Sequence, residues 1–205
     1  MFTSLTTGLI LGVSAGLAPG PLLTLVISET LQHNIGSGIR VALAPLITDL
    51  PIILAMLLIV NELSSMQPVL GLISLAGGCF VFYLGYQNFQ TTEVELDLQP
   101  RQSRSLLKGI LANSLSPHPY LFWFSVGGPI VIKAMDSGGV APYIFMLSFY
   151  SLLVGSKIVL AIAVGKSKQL LSGSLYITTI RSLGVLLCVL ALFLIFEGFS
   201  LLGLL

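Results

Sequence analysis

The sequence predicts an all-α membrane protein: six transmembrane helices arranged as two inverted three-helix repeats. Three observations predict it. Charged residues make up 8% of the 205-residue chain and hydrophobic ones 55%, where a soluble domain carries roughly 25% charged residues. Six apolar stretches each approach the roughly 20 residues that a spanning helix needs. A Pro-x-Pro pair also recurs in the first helix of each half, Pro19-Gly20-Pro21 and Pro117-His118-Pro119.

The first stretch, 3–28, has neither a basic n-region nor a small-x-small cleavage site, so it reads as a retained membrane helix rather than a signal peptide. Gly8, Gly12, Gly16 and Gly20 recur along it every four residues. That stripe suits close packing within the monomer, with a homodimer seam as the alternative. Asn34 to Gly38 separates it from the second stretch, 39–60, which contains Pro45, Thr48, Asp49 and Pro51. Asn61 to Pro68 leads to the third, 68–90. The longest polar segment, 91–107, carries Glu93, Glu95, Asp97, Arg101 and Arg104, and reads as a connector between a first repeat, 1–90, and a second, 108–205. The fourth stretch, 108–132, holds the second Pro-x-Pro; the fifth, 140–165, holds Lys157; the sixth covers 182–204 after a break from Lys166 to Arg181. Continuous apolar runs in place of ten-residue alternation argue against a β-barrel, the other spanning solution.

Three helices per half is an odd number, so the second half enters the bilayer in the opposite sense to the first. This is the arithmetic of an inverted repeat. Arg40, Arg101, Arg104, Lys108, Lys166, Lys168 and Arg181 fall in or beside the loops after helices one, three and five, against Lys133 alone on the other side. Positive-inside then puts those loops in the cytoplasm and both termini outside an inner membrane.

Composition also excludes classes. A net charge of +1 offers no basic stripe for nucleic acid. Cys79 and Cys188 sit alone in apolar runs, which suits small hydrophobes and not a disulfide framework. No metal-ligand set, cofactor motif, phosphate-binding loop or nucleophile–base constellation is present, so the sequence predicts neither a cofactor nor an enzyme. Without an ATP motif, transport work falls to an ion gradient or another subunit.

Two prolines one residue apart cannot continue a regular helix, because each removes a backbone donor and clashes one turn back. In a bilayer the freed groups must be satisfied by protein or line a polar cavity, and broken helices at corresponding places in two halves point to a transport site. The candidate pathway therefore comprises Pro19, Gly20 and Pro21 with Asn113, Ser116, Pro117, His118 and Pro119. Asp49 lies ten residues into its helix, about 15 Å deep at 1.5 Å per residue, with Thr48 beside it. Asp49 and Lys157 are the clearest intramembrane charges, on counterpart helices. Either they form a proton- and substrate-responsive pair, or a static ion pair fixes helix packing. Glu29 and His33, at the cytoplasmic end of helix one, and Arg40, at the start of helix two, read as interfacial snorkelling groups, with a gate ion pair as the alternative. His118 reads as a proton relay or a structural histidine. Trp123, Tyr120, Phe122 and Phe124 are deep enough to line a cavity.

The segment Gly16-Leu17-Ala18-Pro19-Gly20-Pro21 resembles the glycine–proline signature of the LysE/RhtB family of amino-acid exporters. The run from Asn113 to Phe124 is similar to that family's second signature, although His118-Pro119 stands where many members have Pro-Lys. The resemblance covers essentially the whole chain. It implies an antiporter in the bilayer that exports an amino acid or related small metabolite, with protons as the driving partner. A scaffold or assembly protein without transport activity is the competing class; the discriminating feature is whether Asp49 and both breaks converge on one cavity.

Overall fold

The computed structural model describes residues 2–59, 67–89, 104–136, 139–167 and 173–204. Among them every regular element is helical. The proline rule sets the first break: α1 (Phe2–Leu17) ends before Pro19, and α2 (Pro21–Gln32) starts with Pro21 in its first turn, where no backbone donor is needed. The two axes diverge by 62°. Asn34 caps α3 (Ile35–Ala42) by accepting the Ser37 amide at 3.0 Å. The segment Ile35 to Gly38, expected to be loop, is thus the first turn of a helix. Its glycines mislead because Gly38 serves packing: a methyl group there would run into Thr30 and Ala161.

After one turn residue, Leu43, α4 (Ala44–Ile59) continues the same span, carrying Pro51 within it. Then come α5 (Gln67–Phe89), α6 (Ser105–Ser114), α7 (Pro117–Phe122), a π-helical turn (Trp123–Gly127), α8 (Gly128–Asp136), α9 (Ala141–Ser167) and α10 (Gly173–Leu201). α10 starts nine residues earlier than expected, so Arg181 lies in a helix. Most of the polar connector 91–107, and parts of the other connectors, lie outside the described residues.

Among the described residues three helices are long and apolar enough to cross a membrane, Ile35–Met56, Ala141–Ser167 and Ile177–Leu201, and the bent pair α1–α2 passes the same test together. The surface has the character of a bilayer protein. Leu50 and Leu54 on α4, Leu147 on α9 and Phe193 and Phe196 on α10 point outward, whereas Thr48, Asp49, Asn113 and Lys157 are buried. Cys79 is also exposed, against the expectation of a buried hydrophobe.

Small residues decide which helices touch. Gly8, Gly12 and Gly16 lie against the backbone of α9 at Phe145, Phe149 and Leu153, so that stripe is used within the monomer. A second seam escaped the sequence reading. Gly71, Gly78 and Gly85, seven residues apart on α5, meet Gly198, Ala191 and Gly184 on α10. A methyl group on Gly85 would sit 2.8 Å from the Gly184 carbonyl oxygen. Without a hydrophobic driving force in lipid, such close backbone approach is what holds helices together. α6 lies against α3 and α4.

Candidate functional site

Both breaks open on one cavity of about 360 Å³, within the range of small-molecule sites. Pro19, Gly20, Pro21, Asp49, Asn113, Ser116, His118, Pro119 and Lys157 all line it. Thr48 and Pro117 do not. Thr48 stands behind Asp49 as a hydrogen-bond partner, and Pro117 is buried at the first position of α7.

At the first break the chain frees specific acceptors. The Ala15 carbonyl would be paired, four residues on, with the amide of Pro19, which has no hydrogen. The Gly16 carbonyl would look to Gly20, already outside the helix. Lys157 fills this gap: its ammonium donates to Gly16 O at 2.8 Å and to Ala15 O at 3.3 Å. A cation at the carbonyl end of a helix also meets the negative end of the helix dipole. Gly20 is extended (φ −174°), and its carbonyl accepts both the amide and the hydroxyl of Thr24 at 3.0 Å.

At the second break, Ser116 accepts the His118 amide on its hydroxyl at 3.4 Å, and Tyr120 donates its hydroxyl to the Ser114 carbonyl at 2.9 Å. Gly77 of α5 lets the Leu115 carbonyl approach closely, since a methyl group there would overlap it. The helix then widens into the π turn, which re-aims its first residue, Trp123, inward.

Asp49 is 4% exposed and is surrounded by neutral donors from four elements. Asn113 of α6 donates to Oδ1 at 3.0 Å, and the single hydroxyl hydrogen of Thr48 of α4 is shared between Oδ1 at 3.3 Å and the Ala44 carbonyl at 3.1 Å. Trp123 Nε1 of the π turn and the Tyr150 hydroxyl of α9 donate to Oδ2 at 3.3 and 3.2 Å. Asn113 also reaches Thr48 Oγ1 at 2.6 Å, which locks the donor shell to the helix. Such a shell offsets the cost of burying a carboxylate. Asp49 and Lys157 thus share the cavity without forming an ion pair; each is satisfied separately.

Behind the carboxylate, Trp123, Phe122, Phe149 and Tyr150 form an aromatic wall, with Phe122 stacked on Phe149 at 5.1 Å and Trp123 edge-on to Phe149 at 5.6 Å. The wall confirms the cavity-lining expectation for Phe122 and Trp123. Tyr150 was missed, yet a signal existed: it precedes Lys157 by seven residues, two turns along the same face of α9.

Glu29 was misjudged. It is 2% exposed, where a snorkelling carboxylate would reach water. Its carboxylate accepts from Lys108 Nζ at 2.6 Å and Ser105 Oγ at 2.5 Å, with His33 Nδ1 at 3.4 Å. Lys108 and Ser105 come from the far side of the central connector, a pairing that no local pattern reveals.

The described residues contain no cluster of His, Cys, Asp and Glu able to hold a metal ion. No curated protein and no solved structure matches the chain. The family model of LysE type translocators matches residues 13–198, spanning both breaks, Asp49 and Lys157. The chain therefore belongs to the LysE type translocator family, and is a multi-pass membrane protein that moves a small molecule.

Proposed function

We propose that this translocator is a proton-coupled secondary exporter of an α-amino acid with an uncharged side chain, built from six spans in two inverted repeats. One observation carries the reading: two proline-broken helices, one from each half, converge with a buried carboxylate and a buried ammonium on one cavity. A scaffold has no need of that convergence. The helix packing supports the repeat. The third helices of the halves, α5 and α10, pair with each other, and the first helix of each half packs on the second helix of the other. Orientation follows the basic residues, with Arg40, Arg104, Lys108 and Lys166 at the cytoplasmic end.

The site suggests a division of labour. Lys157 keeps a third ammonium hydrogen for a substrate carboxylate. The first turn of α2, at Leu22 and Leu23, lines the same cavity and adds the positive end of a helix dipole. The substrate ammonium meets carbonyls freed at the breaks, as in other broken-helix transporters. Asp49, the carboxylate among the described residues that line the cavity, takes the proton in this reading, because the donors around it leave little room for a substrate amine. Among the described residues no further Asp, Glu, Lys or Arg lines the cavity; Phe122, Trp123, Phe149 and Leu153 supply apolar walls. This favours aliphatic or aromatic substrates over lysine or arginine, whose extra cation would find no partner.

Counterflow in proteoliposomes with a panel of labelled amino acids tests the reading. Exchange of neutral amino acids with at least tenfold preference over lysine and arginine is expected. Exchange of none of them, by protein shown to be folded, returns the scaffold reading; a preference for the basic pair overturns the substrate assignment.

A further inference from the structure

Glu29 and Lys108 lie outside the cavity, and cavity chemistry does not explain them. Each sits on the inner half of a proline-broken helix. Glu29 is eight residues beyond Pro21 on α2, and Lys108 seven residues before Leu115 on α6, so both lie about 10–12 Å from the breaks at 1.5 Å per residue. They meet at the same depth, on the side of the cavity where Arg104 precedes α6 and Lys166 lies in the last turn of α9. Beside them Gln32 of α2 donates to Asn88 Oδ1 of α5 at 2.6 Å, and Ser28 is hydrogen-bonded to Asn88 at 2.9 Å. The inner segment α2 is thereby clamped to α6 and α5. At the other end of the bundle, α1 lies along α9 and α8 packs on the π turn, α9 and α4.

We propose that the Glu29–Lys108 pair, with Ser105 and the Ser28–Gln32–Asn88 cluster, is the gate of the basic end, shut in this structure, and that it opens in every transport cycle. The inference rests on the transporter reading for its purpose, but its geometry is independent of the substrate. Glu29 is 2% exposed and Lys108 29%, so burying the carboxylate offsets much of the Coulomb gain and the pair is a weak device for mere stability. It is a good device for two discrete states: closed, the Glu29 carboxylate is held by Lys108 and Ser105; open, it reaches water, as the Lys108 side chain already does in part. Ser105 adds a second donor to the carboxylate, so closure completes a polar network rather than leaving half of one.

Two arms test the gate, both in a background with Cys79→Ser and Cys188→Ser. First, Glu29→Cys/Lys108→Cys is bridged with a short bis-methanethiosulfonate reagent. Transport should fall more than tenfold and return on reduction. Transport persisting in fully bridged protein overturns the proposal. Second, Glu29→Gln is combined with Leu25→Cys, a buried position one turn nearer the cavity, and labelled with a membrane-impermeant maleimide from the basic end. Labelling at least fivefold faster than with Glu29 intact is expected; an unchanged rate overturns the gate. The labelling arm needs no substrate. A chain that moves no amino acid yet shows faster labelling therefore keeps the gate and loses the proposed cargo.

Discussion

Replacing Lys157 with methionine keeps the length of the side chain and removes its donors. In the native protein that ammonium is bonded to Gly16 O at 2.8 Å and Ala15 O at 3.3 Å, acceptors that the Pro19 break leaves without helical partners. A buried acceptor left unsatisfied costs about 1–3 kcal/mol, and Gly16 is buried while Ala15 is half-buried. Relief from burying a charge offsets part of that loss. The balance is a destabilisation of about 2 kcal/mol, which for a domain of this size lowers the unfolding midpoint by roughly 4–8 °C. If the same ammonium also holds the substrate carboxylate, affinity falls by about 10- to 150-fold, the worth of one hydrogen bond to a charged group. Thermal unfolding in detergent and equilibrium binding of a labelled amino acid read the two effects. Lys157→Arg, which retains donors, should lose less than half as much stability. Lys157→Met protein that unfolds at the native temperature and binds with native affinity would refute both the capping role and the anchor.

Other consequences are as direct. Gly12→Ala puts a methyl group 2.5 Å from the Phe149 carbonyl oxygen, so α1 and α9 must separate at a cost of about 1–3 kcal/mol. Gly155→Ala, helical with open space around it, should be neutral or stabilising by up to about 1 kcal/mol; unfolding midpoints of the pair check both. Trp123→Phe keeps the aromatic wall but removes one donor from Asp49, and should destabilise by about 1.5–3 kcal/mol, again read by thermal unfolding. Gly85→Leu should split the α5–α10 seam and lower the yield of monodisperse protein on size exclusion more than Cys79→Leu, at an exposed position of the same helix.

The sequence shows where the chain breaks more clearly than where its helices start. Pro19-Gly20-Pro21 and Pro117-His118-Pro119 leave the backbone no alternative, so both breaks fall where expected. α10 begins at Gly173 instead of 182 because hydropathy reports immersion in lipid and not helix formation; Tyr176, Thr178, Thr179 and Arg181 lower the one without preventing the other. Gly36 and Gly38 suggest a loop, yet Asn34 caps a helix over them and Gly38 is small for the sake of Thr30 and Ala161. At the site, Asp49 and Lys157 are conspicuous as charges in apolar runs. Their partners are not, because Trp123 and Tyr150 reach Asp49 from 74 and 101 residues away. Glu29 was misplaced for the same reason, its partner Lys108 lying 79 residues away.

Asp49→Asn in proteoliposomes tests most directly the proposed coupling of protons to substrate through the cavity shared by the two breaks. With an imposed pH gradient, the native protein should drive net movement of its amino acid against the substrate gradient. Asp49→Asn should retain counterflow exchange but lose the response to pH. Undiminished pH-driven accumulation by the asparagine variant would contradict the account.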